Sequence, residues 1–175
     1  MGLVFRVITA LVVILSVTSC TSLNSGLGGV LDLDTDFRLD FKVAADINPD
    51  ESGTSSPLFI RMYELKSDKL FRKADFIDLY EKDAELLGAD MLAKHALKRL
   101  TPGEDVSHKF VLEEETRFVG LYAEFLQYKD SGFKLVIPVV QNNVVSSQAM
   151  VLVSSNDLER YYRTRKESDV EAIKH

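Results

Sequence analysis

The sequence predicts a mainly β domain, a sandwich of short strands with a little helix. Residues 37–47 alternate apolar and polar side chains almost without a break. From residue 106 onward, segments rich in Val, Leu, Phe and Tyr recur at short intervals between polar turns. A period near 3.6 shows clearly in one place, from residue 76 to residue 87.

The N-terminus reads as a targeting segment. Residues 3–17 are almost continuously apolar, and the first nineteen residues carry one charged side chain, Arg6. A span needs ~20 apolar residues, and a shorter run with a basic start matches the hydrophobic region of a signal peptide. It ends in Val17-Thr18-Ser19-Cys20. Small residues ahead of a cysteine at that place look like a bacterial lipobox, in which the thiol is diacylglycerylated and the peptide is cut to leave Cys20 first. The sequence therefore divides into a signal peptide (1–19), a lipidated Cys20 with a tether (20–34), a sandwich domain (35–156) and a charged tail (157–175). Two or three acyl chains on Cys20 anchor a protein stably, whereas one does so marginally. The Ser- and Gly-rich stretch after Cys20 has no period and reads as a flexible tether. Extended to Leu33 it reaches roughly 40 to 50 Å. Lipoproteins with Asp after the cysteine tend to stay in the inner membrane; here Thr21 follows, which favours the outer membrane, facing the periplasm.

In the domain, the odd positions Phe37, Leu39, Phe41, Val43, Ala45 and Ile47 are apolar, which predicts a long half-buried strand over 37–47. Residues 48–57 then break every pattern, with Pro49 and Pro57 near the ends and Gly53 inside. This loop is longer than a tight hairpin needs. A second strand is expected over 58–65. Asp75 is a candidate N-cap for a short helix over 76–82, followed by a further turn ending at Gly88 as the C′ residue. Residues 91–100 fit helix by propensity and strand by their position before Thr101-Pro102-Gly103, and both remain open. Strands are expected within 106–113, 117–128, 133–140 and 148–154, with Pro138 at a sheet edge or bulge. Residues 157–175 mix both charge signs and read as a helical or disordered tail.

Chemistry is sparse. The formal net charge of −6 argues against a nucleic-acid partner. One cysteine excludes an intramolecular disulfide and a metal site of three or four thiolates. His95, His108 and His175 lack metal-ligand spacing, and there is no GxSxG, P-loop or GxGxxG in a strand-to-helix setting. The run Glu113-Glu114-Glu115 beside Thr116-Arg117 reads as a solvated turn. No nucleophile, base and oxyanion donor assemble, so no catalytic residue, metal site or cofactor is expected. A lipid-anchored sandwich of this kind is most simply a binding or scaffolding module. Its distinctive non-core feature is the loop Asn48, Pro49, Asp50, Glu51, Ser52, Gly53, Thr54, Ser55 and Ser56.

Several motifs in order carry a resemblance. They are Asp46-Ile47-Asn48-Pro49-Asp50, then Pro57-Leu58-Phe59-Ile60-Arg61-Met62-Tyr63-Glu64-Leu65, then residues 71–80, then Leu87-Gly88-Ala89-Asp90, Leu100-Thr101-Pro102-Gly103-Glu104 and Val119-Gly120-Leu121-Tyr122-Ala123-Glu124-Phe125. Together they resemble the TssJ family, also called VasD or SciN, the outer-membrane lipoprotein of type VI secretion systems. The match spans roughly residues 37–152. Two departures are visible: Leu126-Gln127 stands where the family usually has Arg-Asp, and Phe133 where it often has Trp.

The resemblance implies a transthyretin-like β-sandwich of two four-stranded sheets with a small helical insertion supplied by residues 75–87, and it makes 91–100 mostly a strand edge. It also implies a partner, the C-terminal periplasmic domain of the inner-membrane protein TssM, which associates with TssL. The family's contact loop between the first two strands corresponds here to 48–56. The alternative is a periplasmic small-ligand or peptidoglycan-binding lipoprotein, which a deep apolar pocket would favour.

Overall fold

The computed structural model describes residues 35–140 and 147–161. Eight strands form two antiparallel-rich sheets of four. The strands are β1 (Thr35–Val43), β2 (Ile60–Leu65), β3 (Met91–Ala96), β4 (Val106–Leu112), β5 (Phe118–Ala123), β6 (Lys134–Pro138), β7 (Ser147–Ser154) and β8 (Asp157–Arg160). Two helices, α1 (Lys69–Lys73) and α2 (Phe76–Leu87), lie between β2 and β3. One sheet has the order β4-β1-β7-β8 and the other β3-β2-β5-β6. The expected two-sheet sandwich with a small helical insertion is thus the fold.

β1 is the centre of its sheet. It pairs antiparallel with β4, Thr35 opposite Leu112, and parallel with β7, Val43 opposite Val153. Phe37, Leu39, Phe41 and Val43 point into the core, as their alternation predicts. The strand ends at Val43, short of the expected Ile47, because the chain turns at residues 45–46 to climb toward the other sheet. Ile47 is fully buried nonetheless.

The second sheet is buried on both faces. Ile60, Met62, Val119 and Leu121 pack against the first sheet, while Tyr63, Leu65, Phe71, Leu79 and Tyr122 form a second core beneath the helices. Helix α2 starts after Asp75 and closes at Gly88 (φ 49°, ψ −127°), a left-handed backbone open to glycine. It breaks at Lys82, as the two-part periodicity implied. Three cations from the sheet, Arg61, Lys134 and Lys94, fix the insertion. Arg61 donates to the carbonyls of Leu79 and Tyr80, each at 3.2 Å, just before the break, and pairs with Glu124 at 2.6 Å. Lys134 donates to the carbonyls of Phe71, Arg72 and Ala74, where α1 ends and a positive charge is favoured. Asp83, just past the break, accepts the Tyr63 hydroxyl at 2.7 Å and the Lys94 ammonium at 3.0 Å. Burial raises the Asp83 carboxyl, but those two donors outweigh it and hold it below the usual carboxylate range.

Three elements differ from or complete the sequence reading. Residues 91–96 are strand β3, paired with β2, which closes the open alternative. The five residues of α1 carry no expectation of their own in the sequence. The tail reading is corrected at its start: residues 157–160 form β8, an edge strand bonded to β7, with Leu158 in the core. Pro138 ends β6, the edge of its sheet, as expected.

Candidate interaction surface

The loop that the sequence singles out lies where β1 ends and the chain crosses to β2. Its shape is fixed from both sides. Asn48 is 2% exposed and sits at φ 47°, a left-handed backbone that asparagine tolerates better than most residues. Its amide donates to the Pro57 carbonyl at 3.0 Å and accepts the Leu126 N–H at 2.8 Å. Asn48 therefore clasps the two ends of the loop and docks it on the β5–β6 connection; its amide does not face outward.

The tip holds itself. Asp50 accepts the Ser52 N–H at 2.8 Å, the Ser52 hydroxyl at 2.6 Å and the Thr54 N–H at 2.9 Å through one carboxylate oxygen. Backbone bonds between Asp50 and Thr54 and between Gly53 and Asp50 close the turn, with Gly53 at φ 82°. The Ser52 hydroxyl, followed by the Thr54 N–H, holds the Asp50 carboxyl below the usual carboxylate range. Glu51, Ser52, Gly53 and Thr54 are exposed, while Pro49, Asp50, Ser55 and Ser56 are half-buried.

The depressed Asp50 pKa has a pH consequence. Stabilisation of the loop by this carboxylate is complete above its ordinary value of 3.8 and is lost as pH falls through its lower folded value. Asp50→Ala is expected to speed amide hydrogen exchange at Ser52 and Thr54 at neutral pH, with the melting temperature of the sandwich little changed. Unaltered exchange at both amides would show that the tip is held by its backbone bonds alone.

A second wall stands beside the loop. Gln127 donates to the carbonyls of Pro49 and Asp50 at 3.1 and 2.8 Å. An open groove of about 440 Å³ runs between Glu51 on one side and residues 126–130 on the other, with Asn156 also lining it. Leu126 is 58% exposed, and Tyr128 stacks on Phe76 at 4.3 Å. These residues were not among the sequence candidates. The one sequence signal was the Leu126-Gln127 pair, where the chain departs from the pattern it resembles.

Other polar clusters are structural in their contacts. Glu64, 1% exposed, accepts from Thr116 at 2.7 Å and the Glu113 N–H at 2.8 Å and contacts His95 at 2.7 Å, tying the β4–β5 turn to the second sheet. The acidic run Glu113, Glu114 and Glu115 is exposed in that turn, as read from sequence. Among the described residues no group of His, Cys, Asp and Glu is placed to hold a metal ion, and no helix is long and apolar enough to cross a membrane. Cys20 and most of the tail lie outside the described residues.

A family model described as the type VI secretion lipoprotein, VasD, EvfM, TssJ, matches residues 35–156, most of the chain. The chain belongs to this family. The T6SS lipoprotein TssJ1 from Pseudomonas aeruginosa is similar in fold at a TM-score of 0.68 and 26% identity, covering 75% of this chain and 98% of its own. A chain of a structure described as a type VI membrane complex is similar at a TM-score of 0.64 and 26% identity, covering 74% of this chain and 99% of its own. A chain of a structure described as the T6SS protein TssM C-terminal domain (869-1107) from EAEC shares the fold at a TM-score of 0.62 and 24% identity, covering 73% of this chain and 98% of its own. A search of curated protein sequences found no match. Family membership fixes the coarse role, a lipoprotein of type VI secretion, on residues that hold every strand of the sandwich but β8.

Proposed function

We propose that this TssJ-family chain is a non-enzymatic, lipid-anchored scaffold that holds a type VI secretion membrane complex to the outer membrane. In this reading the acyl chains sit on Cys20, the domain faces the periplasm, and loop 48–56 binds the periplasmic C-terminal domain of TssM, and through it TssL. The observation that carries the reading is the preorganised loop. Four exposed residues, Glu51 to Thr54, are held on a frame made by Asn48, Asp50 and Gln127. A loop already ordered before binding loses little conformational entropy when a partner meets it. The likeness to a chain of the membrane-complex structure supports the same setting. The adjoining groove is open and mixed in polarity, which suits a protein surface better than the enclosed apolar pocket of a small-ligand carrier.

The anchor half of the proposal is tested at Cys20. Cys20→Ser removes the thiol that takes the acyl chains, so the protein is expected to escape lipoprotein processing and to disappear from the outer-membrane fraction. Normal processing and fractionation of the Ser variant would refute lipid anchoring. The partner half is tested by capture of TssM from membrane extracts with the wild-type chain as bait.

A further inference from the structure

Resting on that reading of anchor and partner contact, we propose that β1 is the tension line of the molecule: a pull between the membrane and a partner on loop 48–56 runs along the backbone of this one strand and leaves the packing between the two sheets unloaded. The two functional ends are neighbours in sequence but opposite in space. The tether enters at Thr35, level with Leu112 at the close of β4. The loop begins at Asn48, five residues past Val43 at the other end of β1.

The path between them has little slack. A strand rises about 3.3 Å per residue, close to the chain's limit of roughly 3.3 to 3.6 Å. β1 is held on both sides, by β4 from Thr35 to Phe41 and by β7 from Phe37 to Val43. The one stretch that could lengthen, residues 44–48, is clamped. The Ala44 N–H donates to Val153 at 2.9 Å, Gly103 donates to the Ala44 carbonyl at 3.1 Å, and the Asn48 N–H donates to Ser155 at 2.7 Å. Residues 57–161 lie off this covalent path. The wall at 126–130 stands at the same end of the sandwich but connects to Thr35 differently. It joins β5, in the other sheet, which meets β1 across the packed core. A pull there is carried by no covalent short cut: it must break the hydrogen bonds that tie Leu126 and Gln127 to the loop and Gly132 to residues 156–158, and part the sheets.

Handles placed at the same end of the domain, on and off the path, test this. The chain has one natural cysteine, Cys20, whose thiol stays free in protein made by membrane-free cell-free synthesis, without acylation, and serves there as the common attachment. Full-length Glu51→Cys and Lys129→Cys variants, both at exposed positions, are stretched in optical tweezers between DNA handles. Matching melting curves establish that each variant is folded; Ser52→Cys and Asp130→Cys substitute for a variant that is not. Lys129→Cys is expected to give one cooperative lengthening of roughly 25 to 30 nm as the chain between the handles unravels. Glu51→Cys is expected to show no step above about 1 nm at loads that unfold the first variant. A step above about 1 nm in Glu51→Cys at or below that load, reporting opening of the chain between Val43 and Glu51, would overturn the proposal. So would a Lys129→Cys variant that survives the higher loads. Neither measurement involves TssM, so failure of TssM to bind the loop in calorimetry would remove the partner reading and leave the force result to stand or fall separately.

Discussion

Phe41→Ala is expected to lower the stability of the domain by about 3 to 5 kcal/mol. The ring is 1% exposed in the middle of β1, meets His108 edge-on at 6.3 Å, and belongs to the core shared by both sheets. Its removal leaves a cavity that the flanking β4 and β7 cannot collapse into, because their register with β1 is fixed on both sides. Since a domain of this size has a net stability of about 5 to 15 kcal/mol, the variant keeps a reduced margin or loses its fold. Ile60→Ala, 2% exposed on the facing sheet, belongs to the same class at about 2 to 5 kcal/mol. Val111→Ala is the matched control: it sits on β4 between Phe110 and Leu112 but is 62% exposed, and is expected to change stability by under about 0.5 kcal/mol. Denaturant unfolding with a common slope reads all three. Equal losses for Val111 and Phe41 would invert the strand faces, as a register slip of one residue does.

Replacing Asp50-Glu51-Ser52-Gly53 by a two-residue turn is expected to weaken binding of the TssM periplasmic domain at least tenfold, about 1.4 kcal/mol, with the sandwich intact. The fold tolerates the change because the loop stays attached through Asn48 and the Pro49 carbonyl, outside the replaced stretch, and gives up one bond, from Gln127 to the Asp50 carbonyl. Closure entropy changes by under about 1 kcal/mol for so small a shortening. Binding suffers because Glu51, Ser52 and Gly53 are the exposed tip, and because Thr54 loses the carboxylate that holds its N–H. Titration calorimetry gives the affinity and circular dichroism the fold. Wild-type affinity in a folded variant would move the contact away from the loop.

The sequence shows the fold where burial is one-sided and the run is long. The alternation of β1 survives because one face of its sheet meets the core, and α2 shows its end at Gly88, where a positive φ favours glycine, while Asp75 takes the N-cap position without a side-chain cap bond. Strand β3 is hidden because it is an edge, half-exposed over much of its length, and built from residues that also favour helix. Strand β8 has four residues and a single apolar one, Leu158, too few to show a period. Of the candidate surface, the loop is legible from Pro49, Gly53 and Pro57. The opposing wall is not, because Gln127 meets Asp50 across 77 positions of sequence, a contact that no local pattern reports. Asn48 shows the same limit differently: its type suggests an outward polar contact, and its buried position makes it the clasp of the loop.

The self-bonded tip has an evolutionary consequence. Because Asp50, Ser52, Gly53 and Thr54 close the turn among themselves, and Asn48 and Gln127 hold its base, the exposed side chain of Glu51 is released from any duty to the fold. Such a tip carries an interchangeable part: drift at Glu51 alters what the surface displays without taxing the stability of the domain. Under the proposed reading, in which the tip meets a partner, the chain can follow changes in that partner through this one codon.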